Sequence, residues 1–377
     1  MLPLLLLGLA LLATVVVLLY QGFALLLASE MPRLDPSGSS KPGDRPLVSV
    51  VIAARDEEAD LPGCLDDLLR QSYPNLEILV VDGGSTDRTR EVAREKAPRV
   101  RLIEEPALPE GWVGKNWACD VGYRASRGEY LLFLDADVRL NPCTIAATVE
   151  WTESTGAQLS TLAPRIELGS FWEKLVLPFY VQMVLTYFRT PHVNRANSRA
   201  AMANGQFFLV RRPAYERVGG HAGFRGYVLE DVRIAEEFRG ADLPMRVAWA
   251  PALMTTRMYR DRRELFEGLL KNVHGTRFSA LRQVGFLAGL IGFFWLPLAL
   301  LPLGLFVASP SLIALGAILY LALFAKHAGF SRAVGGSAVY GLLFPAAVGF
   351  YVVLVATSIV RGLRGRPVAW KGRSYPI

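Results

Sequence analysis

Three long stretches of this 377-residue chain carry no charged side chain, and they restrict what it can fold into. They are Met1–Ser29, Gln283–Ala325 and Ala333–Val360, with 29, 43 and 28 residues. A helix crosses the hydrocarbon core of a bilayer with about 20 apolar residues, so each stretch is long enough to span it. The pattern excludes a soluble globular protein. It predicts an N-terminal transmembrane anchor at 1–29 and C-terminal membrane segments at 283–360.

Basic residues lie beside these stretches. The chain has 41 Lys and Arg against 34 Asp and Glu, a formal net charge of +7. Segment 257–282 holds seven basic and three acidic residues, and the tail 361–377 holds five basic and no acidic ones. Cytoplasmic loops of membrane proteins carry such an excess of positive charge. We therefore predict a multi-pass protein of a bacterial cell membrane, with a basic cytoplasmic tail and no nucleic-acid partner.

The same rule orients the C-terminal segments. Lys326–Arg332, between the second and third uncharged stretches, is expected on the cytoplasmic side as well. Gln283–Ala325 is then a hairpin of two spans that turns at Ser309–Ser311. A single crossing by Ala333–Val360 would place the basic tail outside. We therefore predict that this last segment re-enters the same face or bends at Pro345.

Strand-like and helix-like segments alternate between the membrane segments. A Pro-, Ser- and Gly-rich linker is expected at 30–46. Strands are predicted at 47–54, 76–81, 100–103 and 130–135, and helices at 60–71, 86–97 and 115–126. This alternation predicts an α/β domain at 47–282 with a mostly parallel sheet and helices on both faces. Ligands of such sheets bind at the carboxyl ends of the strands.

Phe171–Phe188 does not follow this alternation. It is aromatic and aliphatic, with only two charged residues and one proline. The composition favours an interfacial helix at the membrane surface, with a helix of the domain core as the alternative. We expect a lipid to enter between this segment and Glu264–Asn272, in contact with Trp172 and Phe179.

Asp135-Ala136-Asp137 comes directly after the apolar strand Leu131–Leu134. Two carboxylates one residue apart can face one crevice when the strand ends in a turn. Their hard oxygens suit Mg²⁺ or Mn²⁺, which would bridge the two phosphates of a nucleotide donor. Taken alone the pair is weak evidence, because a solvated turn can have the same sequence.

Four further sequence blocks raise the value of that pair. They are Ser49–Glu58 (SVVIAARDEE), Leu79–Thr89 (LVVDGGSTDRT), Gly114–Gly122 (GKNWACDVG) and Val228–Ala235 (VLEDVRIA). In this order, with the Asp pair between the third and the fourth, they resemble the family 2 glycosyltransferases across about 47–270. The resemblance implies a Rossmann-like GT-A fold for the domain.

Three shorter motifs narrow the resemblance to a membrane-bound branch that glycosylates lipids such as carotenoids and hopanoids. They are Gly111–Lys115 (GWVGK), Arg257–Arg260 (RMYR) with Glu267-Gly268, and Trp370–Tyr375 (WKGRSY). The resemblance implies an inverting, metal-dependent transfer of a sugar from a nucleotide-sugar donor to a membrane lipid acceptor. UDP-glucose is the donor we expect, with Mg²⁺ or Mn²⁺ as the metal.

The resemblance also assigns residues to the donor. Ala54, Glu57 and Asp82 are assigned to the nucleotide, and Lys115 to the diphosphate. Asp137 is the expected metal ligand, with Asp135 near the donor and as a second ligand. Asn204 and Gly205 border the donor sugar. Many relatives have two adjacent acids where this chain has Asp82-Gly83. This departure affects selectivity for the nucleobase of the donor.

Glu230-Asp231 supplies the expected general base, which takes the proton of the acceptor as its oxygen attacks the anomeric carbon. Asp231 is preferred, with Glu230 as the alternative. Acids are also favoured at an exposed helix N-terminus, which is the structural explanation for the same pair. His221 and Arg225 are expected on the acceptor side.

Two other functions are compatible with parts of this pattern. A catalytically silent nucleotide-sugar-binding partner protein would not need the intact acidic pairs. A processive polysaccharide synthase would carry a QxxRW motif after the base. The corresponding stretch, Arg260–Glu264, contains neither Gln nor Trp, so a single transfer is favoured.

Overall fold

The chain folds into a sheet domain followed by a group of apolar helices. The computed structural model describes residues 2–36, 45–275, 279–370 and 373–375. Its strands are β1 (Val48–Ala54), β2 (Leu76–Asp82), β3 (Val100–Glu104), β4 (Tyr130–Leu134), β5 (Val138–Leu140), β6 (Leu159–Ala163), β7 (Arg165–Ile166), β8 (Phe207–Arg211), β9 (Met245–Trp249), β10 (Met254–Thr256), β11 (Val368–Trp370) and β12 (Arg373–Tyr375).

The helices fall into two groups along the chain. The first group, up to the end of the sheet domain, contains α1 (Leu2–Ser29), α2 (Leu61–Leu69), α3 (Thr89–Arg94), α4 (Gly114–Ala125), α5 (Thr144–Ser154), α6 (Phe171–Tyr187), α7 (Arg212–Arg217), α8 (Gly220–Gly223), α9 (Glu230–Gly240) and α10 (Arg262–Gly275). Whether α1 is a transmembrane anchor stays a prediction. The C-terminal helices are α11 (Ala280–Leu290), α12 (Leu296–Phe306), α13 (Pro310–Ala333) and α14 (Phe344–Leu363).

The central sheet has the strand order β3-β2-β1-β4-β8-β6-β9. β8 runs antiparallel to both of its neighbours, and the other pairs are parallel. The predicted mostly parallel sheet is thus confirmed. Ala54 pairs with Asp82, so the carboxyl ends of β1 and β2 lie at one edge of the sheet.

Helices cover both faces of this sheet, as predicted. Successive residues of β1 are buried on opposite sides, with Val50 and Ile52 in one apolar core and Val51 in the other. α2 and α5 supply the first core, and α4 and α9 the second. Burial on both faces explains why the strand is almost continuously apolar instead of alternating.

The start of the predicted linker 30–46 belongs to the sheet. The N–H group of Leu34 donates to Trp249 at 3.0 Å, and the N–H group of Trp249 donates to Pro32 at 2.8 Å. The outer edge of β9 offers backbone groups that this segment satisfies, which composition alone does not reveal. Residues 37–44 of the linker lie outside the described residues.

Two helical segments are long and apolar enough to cross a membrane, Pro310–Ala333 and Ala338–Leu363, judged over the described residues. α11 and α12 form a pair bent by 55° and would count as a third span if taken together. A π-helical turn, Ile291–Trp295, lies between α11 and α12. Ser309 caps α13 by accepting from the N–H group of Leu312, so the predicted turn at this position is confirmed.

The cytoplasmic location of Lys326–Arg332 stays a prediction. These residues form the last turns of α13, and Lys326 is 4% exposed. Its ammonium donates to the amide oxygen of Gln21 on α1. A partner on another helix keeps the basic residue inside the bundle.

α14 begins at Phe344 with Pro345 in its first turn, where a proline disrupts no helical hydrogen bond. Whether the segment crosses or re-enters stays a prediction.

α6 packs against α1, α10, α13 and α14. The Ser170 hydroxyl and the Glu173 carboxylate form a reciprocal cap at its start. Phe179 is fully buried and lies edge-on to Phe294 and Tyr351, so the prediction that it contacts an entering lipid is wrong. Helix contacts on several sides override the surface position that composition suggested. The interfacial location of α6 itself stays a prediction.

The basic tail is only partly described. α14 continues to Leu363, and β11 and β12 form an antiparallel hairpin within the remaining residues. β11 packs near α10, which brings this part of the tail to the sheet domain. Residues 371–372 and 376–377 lie outside the described residues.

Candidate active site

A cavity of about 280 Å³ opens at the carboxyl ends of β1 and β4. Nine of the ten residues predicted for donor, metal and base line it: Ala54, Glu57, Lys115, Asp135, Asp137, Asn204, Gly205, Glu230 and Asp231. They come from positions up to 177 residues apart in the chain. The parallel strands bring them together because their carboxyl ends meet at one edge.

Lys115 connects the two acidic pairs. It lies in the first turn of α4, and its Nζ is 2.8 Å from Asp135 Oδ1 and 2.7 Å from Glu230 Oε1. Nζ also donates to the carbonyl oxygen of Gly205 at 3.3 Å. Desolvation alone would lower the pKa of Lys115, but the two carboxylates outweigh it and hold this pKa well above its usual value. The ammonium therefore stays charged at the centre of the cavity.

Glu230 and Asp231 begin α9 and have different surroundings. Glu230 is buried and paired with Lys115, whereas Asp231 Oδ2 accepts from the N–H group of Gly205 at 2.9 Å. Desolvation, followed by repulsion from Glu230, raises the pKa of Asp231 to about 6. A carboxylate with this pKa can take up a proton near neutral pH, which suits a general base.

Glycine is required at position 205 because the carboxylates of Asp231 and Glu230 lie close to its Cα atom. A Cβ atom at this position would lie 3.0 Å from Asp231 Oδ2 and 3.2 Å from Glu230 Oε1. Any larger residue would push the acidic pair away from its positions. The neighbouring Asn204 uses its side-chain amide to donate to the carbonyl oxygen of Leu162 at 2.8 Å, which fixes this loop against β6.

The Asp135 and Asp137 carboxylates offer a hard-oxygen donor set. Asp137 Oδ2 accepts from the Thr256 hydroxyl at 3.4 Å, and Asp135 is held by Lys115. In the described part of the chain, no group of three or more His, Cys, Asp or Glu side chains gathers as a metal site. One or two carboxylates completed by substrate phosphates and water is the arrangement that Mg²⁺ commonly uses in proteins. The residues present fit such an ion.

Asp82 is the predicted residue that does not line the cavity. It is 2% exposed, and its carboxylate accepts from the N–H groups of Gly84 and Ser85, each at 3.2 Å at the closest. Arg90 Nε lies 3.5 Å from the same group. Asp82 thus shapes the loop after β2, while its neighbour Gly83 faces the cavity.

His221 is also placed away from the site. It is fully buried, its Nδ1 lies 2.7 Å from the Tyr215 hydroxyl, and its ring packs against Phe133. Desolvation, with a smaller effect of the Lys115 charge, lowers its pKa to about 3. His221 is a neutral core residue, so its predicted position on the acceptor side is wrong. Arg225 is exposed and does not line the cavity.

One wall of the cavity comes from the two segments predicted to admit the lipid, but its individual residues were not assigned from the sequence. It is formed by α6 and α10 through Tyr180, Glu264, Lys271 and Asn272. The Asn272 amide donates to the Tyr180 hydroxyl at 3.5 Å. Desolvation lowers the pKa of Lys271. The spacing of the three α10 residues, at i, i+7 and i+8, puts them on one helix face and could have indicated this wall.

Two arginines of the RMYR motif also line the cavity and anchor its rim. Arg257 Nε is 3.2 Å from Glu173 Oε1 at the start of α6. Arg260 Nη2 is 2.6 Å from Asp60 Oδ1, beside α2. These ion pairs join the segment that follows β10 to the starts of α6 and α2. Tyr259, between them, packs against Gly268, where a Cβ would lie 2.3 Å from the Tyr259 ring.

Residues 49–219 match the family model described as Glycosyl transferase family 2. The matched region covers a little under half of the chain and includes strands β1–β8 of the sheet domain. The match contains the loops after β1 and β2, Lys115 and the Asp pair, and the Glu230-Asp231 pair follows it in the chain.

Two curated proteins similar to this chain have the same name. A 4,4'-diaponeurosporenoate glycosyltransferase from Staphylococcus haemolyticus (strain JCSC1435) is 28% identical over 231 residues, which are 60% of each chain. The chain thus spans about three fifths of that relative. A protein of the same name from Staphylococcus aureus (strain USA300) is 25% identical over 345 residues, or 88% of each chain.

A solved structure shares the fold of this chain. It is a mannosyltransferase from Pyrobaculum calidifontis, in complex with GDP-Man and Mn²⁺. The two chains are 19% identical with a TM-score of 0.56, and the likeness covers 94% of this chain and 98% of the other. The α/β domain therefore has the GT-A fold that the sequence resemblance implied.

Proposed function

We propose that this chain is an inverting glycosyltransferase that moves a sugar from a nucleotide-sugar donor to the carboxylate of a carotenoid-type lipid. One observation carries the proposal. A single cavity is lined by the Asp135–Asp137 pair, by the Glu230-Asp231 pair, and by the two helices α6 and α10 that pack on the apolar helix bundle. The acidic residues proposed for the transfer and the two helices next to the bundle therefore line the same cavity.

The transfer forms one bond and breaks one. An acceptor oxygen attacks the anomeric carbon of the sugar, the bond from that carbon to the diphosphate breaks, and the nucleoside diphosphate leaves with the electron pair. Lys115 lies where it can stabilise negative charge on the departing phosphates. Asp231 would accept the proton of a hydroxyl acceptor. A carboxylate acceptor brings no proton.

Asp137 and Asp135 would hold a divalent cation, Mg²⁺ or Mn²⁺. Such an ion supplies charge stabilisation to the leaving diphosphate when bound. The mannosyltransferase of the same fold was solved with a nucleotide sugar and Mn²⁺, which supports this part of the proposal for the fold. Ala54, Glu57 and Gly83 line the end of the cavity assigned to the nucleotide. UDP-glucose is the donor we propose.

The acceptor class follows from the relatives and from charge. Both Staphylococcus relatives are named for diaponeurosporenoate, which is a carboxylate. The wall formed by α6 and α10 carries Lys271, and Tyr180 and Met258 line the same cavity. A lipid with a long apolar body and an anionic end matches a wall in which a cation adjoins apolar side chains.

The helix bundle would place this cavity beside a bilayer. α13 and the segment Ala338–Leu363 meet the length and composition of spanning helices. Because nucleotide sugars are made in the cytoplasm, we propose that the sheet domain lies on that side of a bacterial cell membrane. The acceptor would then reach the cavity laterally, between α6 and α10.

The test uses the full chain in lipid nanodiscs with UDP-glucose and three acceptors of one carotenoid skeleton: the acid, the alcohol and the methyl ester of the acid. We expect mass spectrometry to find a hexosyl product from the acid only. Mild alkali should release the sugar, because a glycosyl ester hydrolyses and a glycoside of an alcohol does not. An alkali-stable product from the alcohol would overturn the acceptor class. No product from any lipid with any nucleotide sugar would overturn the function.

A further inference from the structure

A second cavity, of about 420 Å³, lies at the C-terminal end of α6. Its lining includes four basic side chains and two tyrosines: Arg189, His192, Arg199, Arg233, Tyr187 and Tyr227. None of the residues assigned above to donor, metal or base lines it. Leu229, which comes directly before the acidic pair of the active site, lines both cavities. The second cavity therefore adjoins the first without sharing its chemistry.

The lining has an excess of positive charge. Arg233 is compensated, since it pairs with Glu236 at 3.0 Å and with Glu237 at 2.5 Å. Arg189 and Arg199 are exposed, and no hydrogen bond or ion pair engages either guanidinium within the described residues. Two planar, permanently charged groups thus face one concave surface. Such groups bind phosphate oxygens with paired N–H donors.

The cavity lies where the membrane helices leave the bundle. α1 ends at Ser29, and the next residue, Glu30, is 2.8 Å from Arg195 Nη2 and 3.5 Å from His192 Nε2. Arg282, in the first turn of α11, is close enough to Tyr187 for its charge to act on the phenol. Tyr187 is 52% exposed. Exposed tyrosines and arginines beside helix ends are typical of the depth of lipid headgroups.

We propose that this cavity binds the phosphate of an anionic phospholipid headgroup. The charge, the concave shape and the neighbouring helix ends together favour a lipid phosphate over a soluble anion. Basic residues close to a membrane surface attract anionic lipids. The inference rests on the membrane insertion proposed above and is independent of the sugar and of the acceptor.

The experiment uses the full chain in a non-ionic detergent. Native mass spectrometry measures retention of phosphatidylglycerol, of phosphatidylcholine with the same acyl chains, and of inorganic phosphate. We expect the unchanged chain to retain phosphatidylglycerol preferentially. Arg189→Gln with Arg199→Gln should weaken that affinity roughly thirtyfold, about fivefold for each arginine. The matched control is Arg99→Gln with Arg101→Gln, two exposed arginines at the far edge of the sheet, which should change nothing.

Each outcome of this experiment either supports or overturns the proposed lipid site. Unchanged retention of phosphatidylglycerol in the double variant would overturn the proposal, and so would inorganic phosphate that binds as tightly as the lipid. Arg189→Lys with Arg199→Lys should recover part of the affinity. If the double variant melts at a lower temperature, Arg189→Gln and Arg199→Gln are tested singly. Each should weaken the affinity for phosphatidylglycerol about fivefold. Sugar transfer is measured separately: lost transfer with intact lipid binding would count against the proposed function and leave this site standing.

Discussion

A lysine lies at the centre of each of the two regions of this molecule, in opposite surroundings. In the sheet domain, Lys115 faces an open cavity and lies within 2.8 Å of two carboxylates. In the helix bundle, Lys326 is sealed among helices and donates to a neutral amide of Gln21, with the ring of Tyr20 centred 5.4 Å from its Nζ. Acidic partners make the first cation part of the proposed active site. Neutral partners make the second a link between helices.

The difference follows from what each environment tolerates. A cavity that admits water and phosphates can hold several charges, because they compensate one another and the ligand. A bundle without acidic residues can bury a cation only against amides and aromatic faces. We therefore expect charge changes in the sheet domain to alter catalysis, and those in the bundle to alter stability. The following predictions test that division, from the largest effect on transfer to the smallest.

The largest effect is expected from Asp137→Asn. Loss of one carboxylate from the proposed metal site removes several kcal/mol of charge stabilisation, so turnover should fall roughly 10³-fold or more. The melting temperature should stay close to that of the unchanged chain. Transfer should also stop in EDTA and return on addition of Mg²⁺ or Mn²⁺. Full activity in EDTA would contradict the metal assignment.

Lys115→Met and Lys326→Met compare the two regions directly. Lys115→Met should lower turnover roughly 10²–10³-fold, as expected when a charge-stabilising group is removed. Lys326→Met should keep turnover within about threefold but lower stability by roughly 1–3 kcal/mol, because the Gln21 amide loses its donor. Adding Gln21→Leu should recover that stability. A large loss of turnover with intact stability in Lys326→Met would break the comparison.

Asp231 gives a prediction about pH. With its pKa at about 6, the carboxylate is protonated below pH 6 and cannot act as a base. For a hydroxyl acceptor, kcat/KM should rise tenfold per pH unit up to about 6 and then level, and Asp231→Asn should cost roughly 10²–10⁴-fold. The proposed carboxylate acceptor is already ionised, since carboxyl groups titrate near about 4, so the loss should be only a few-fold. Glu230→Gln, run in parallel, tests which acid is the base.

The same shift has a consequence for stability. The pKa of Asp231 is raised in the folded chain, so its ionised form costs stability above pH 6. The cost declines as pH falls from about 6 towards the unfolded value near 4. Asp231→Asn should therefore melt at a higher temperature than the unchanged chain at pH 7.5. The two melting temperatures should converge at pH 4, and a lower one for Asp231→Asn at pH 7.5 would contradict the shift.

The smallest effect on transfer is expected from Trp172→Ser. Trp172 is half-buried on the side of α6 near Arg262 and Phe350. Its loss should raise the apparent KM for the lipid by a few-fold and leave a short, water-soluble acceptor unaffected. Phe179→Ser is the contrasting change. It removes a fully buried ring and should cost about 3–5 kcal/mol of stability, with equal loss for every acceptor.

The strands, the helices of the first half of the domain and most of the site residues could be predicted from the sequence. Buried parallel strands are apolar along their whole length, so their ends, and the polar residues that follow them, stand out. Asp135 and Asp137 were found in this way, whereas the Glu230-Asp231 pair was found through the family resemblance. Lys271 was missed, because a single cation on an amphipathic helix looks like an ordinary surface residue.

The sequence by itself determined which segments are apolar enough for a membrane, which strands are buried, and which acids end those strands. These properties depend on local composition and on the period of two or 3.6 residues. Tertiary structure alone decided the partners. It joined Lys115 to Glu230, turned the Asp82 carboxylate into its own loop, buried His221 in the core and drew Lys326 into the bundle. A local sequence pattern shows whether a residue lies on the buried or the exposed side of its helix or strand. Which residue it contacts there depends on how distant elements pack, and a local pattern contains no information about that.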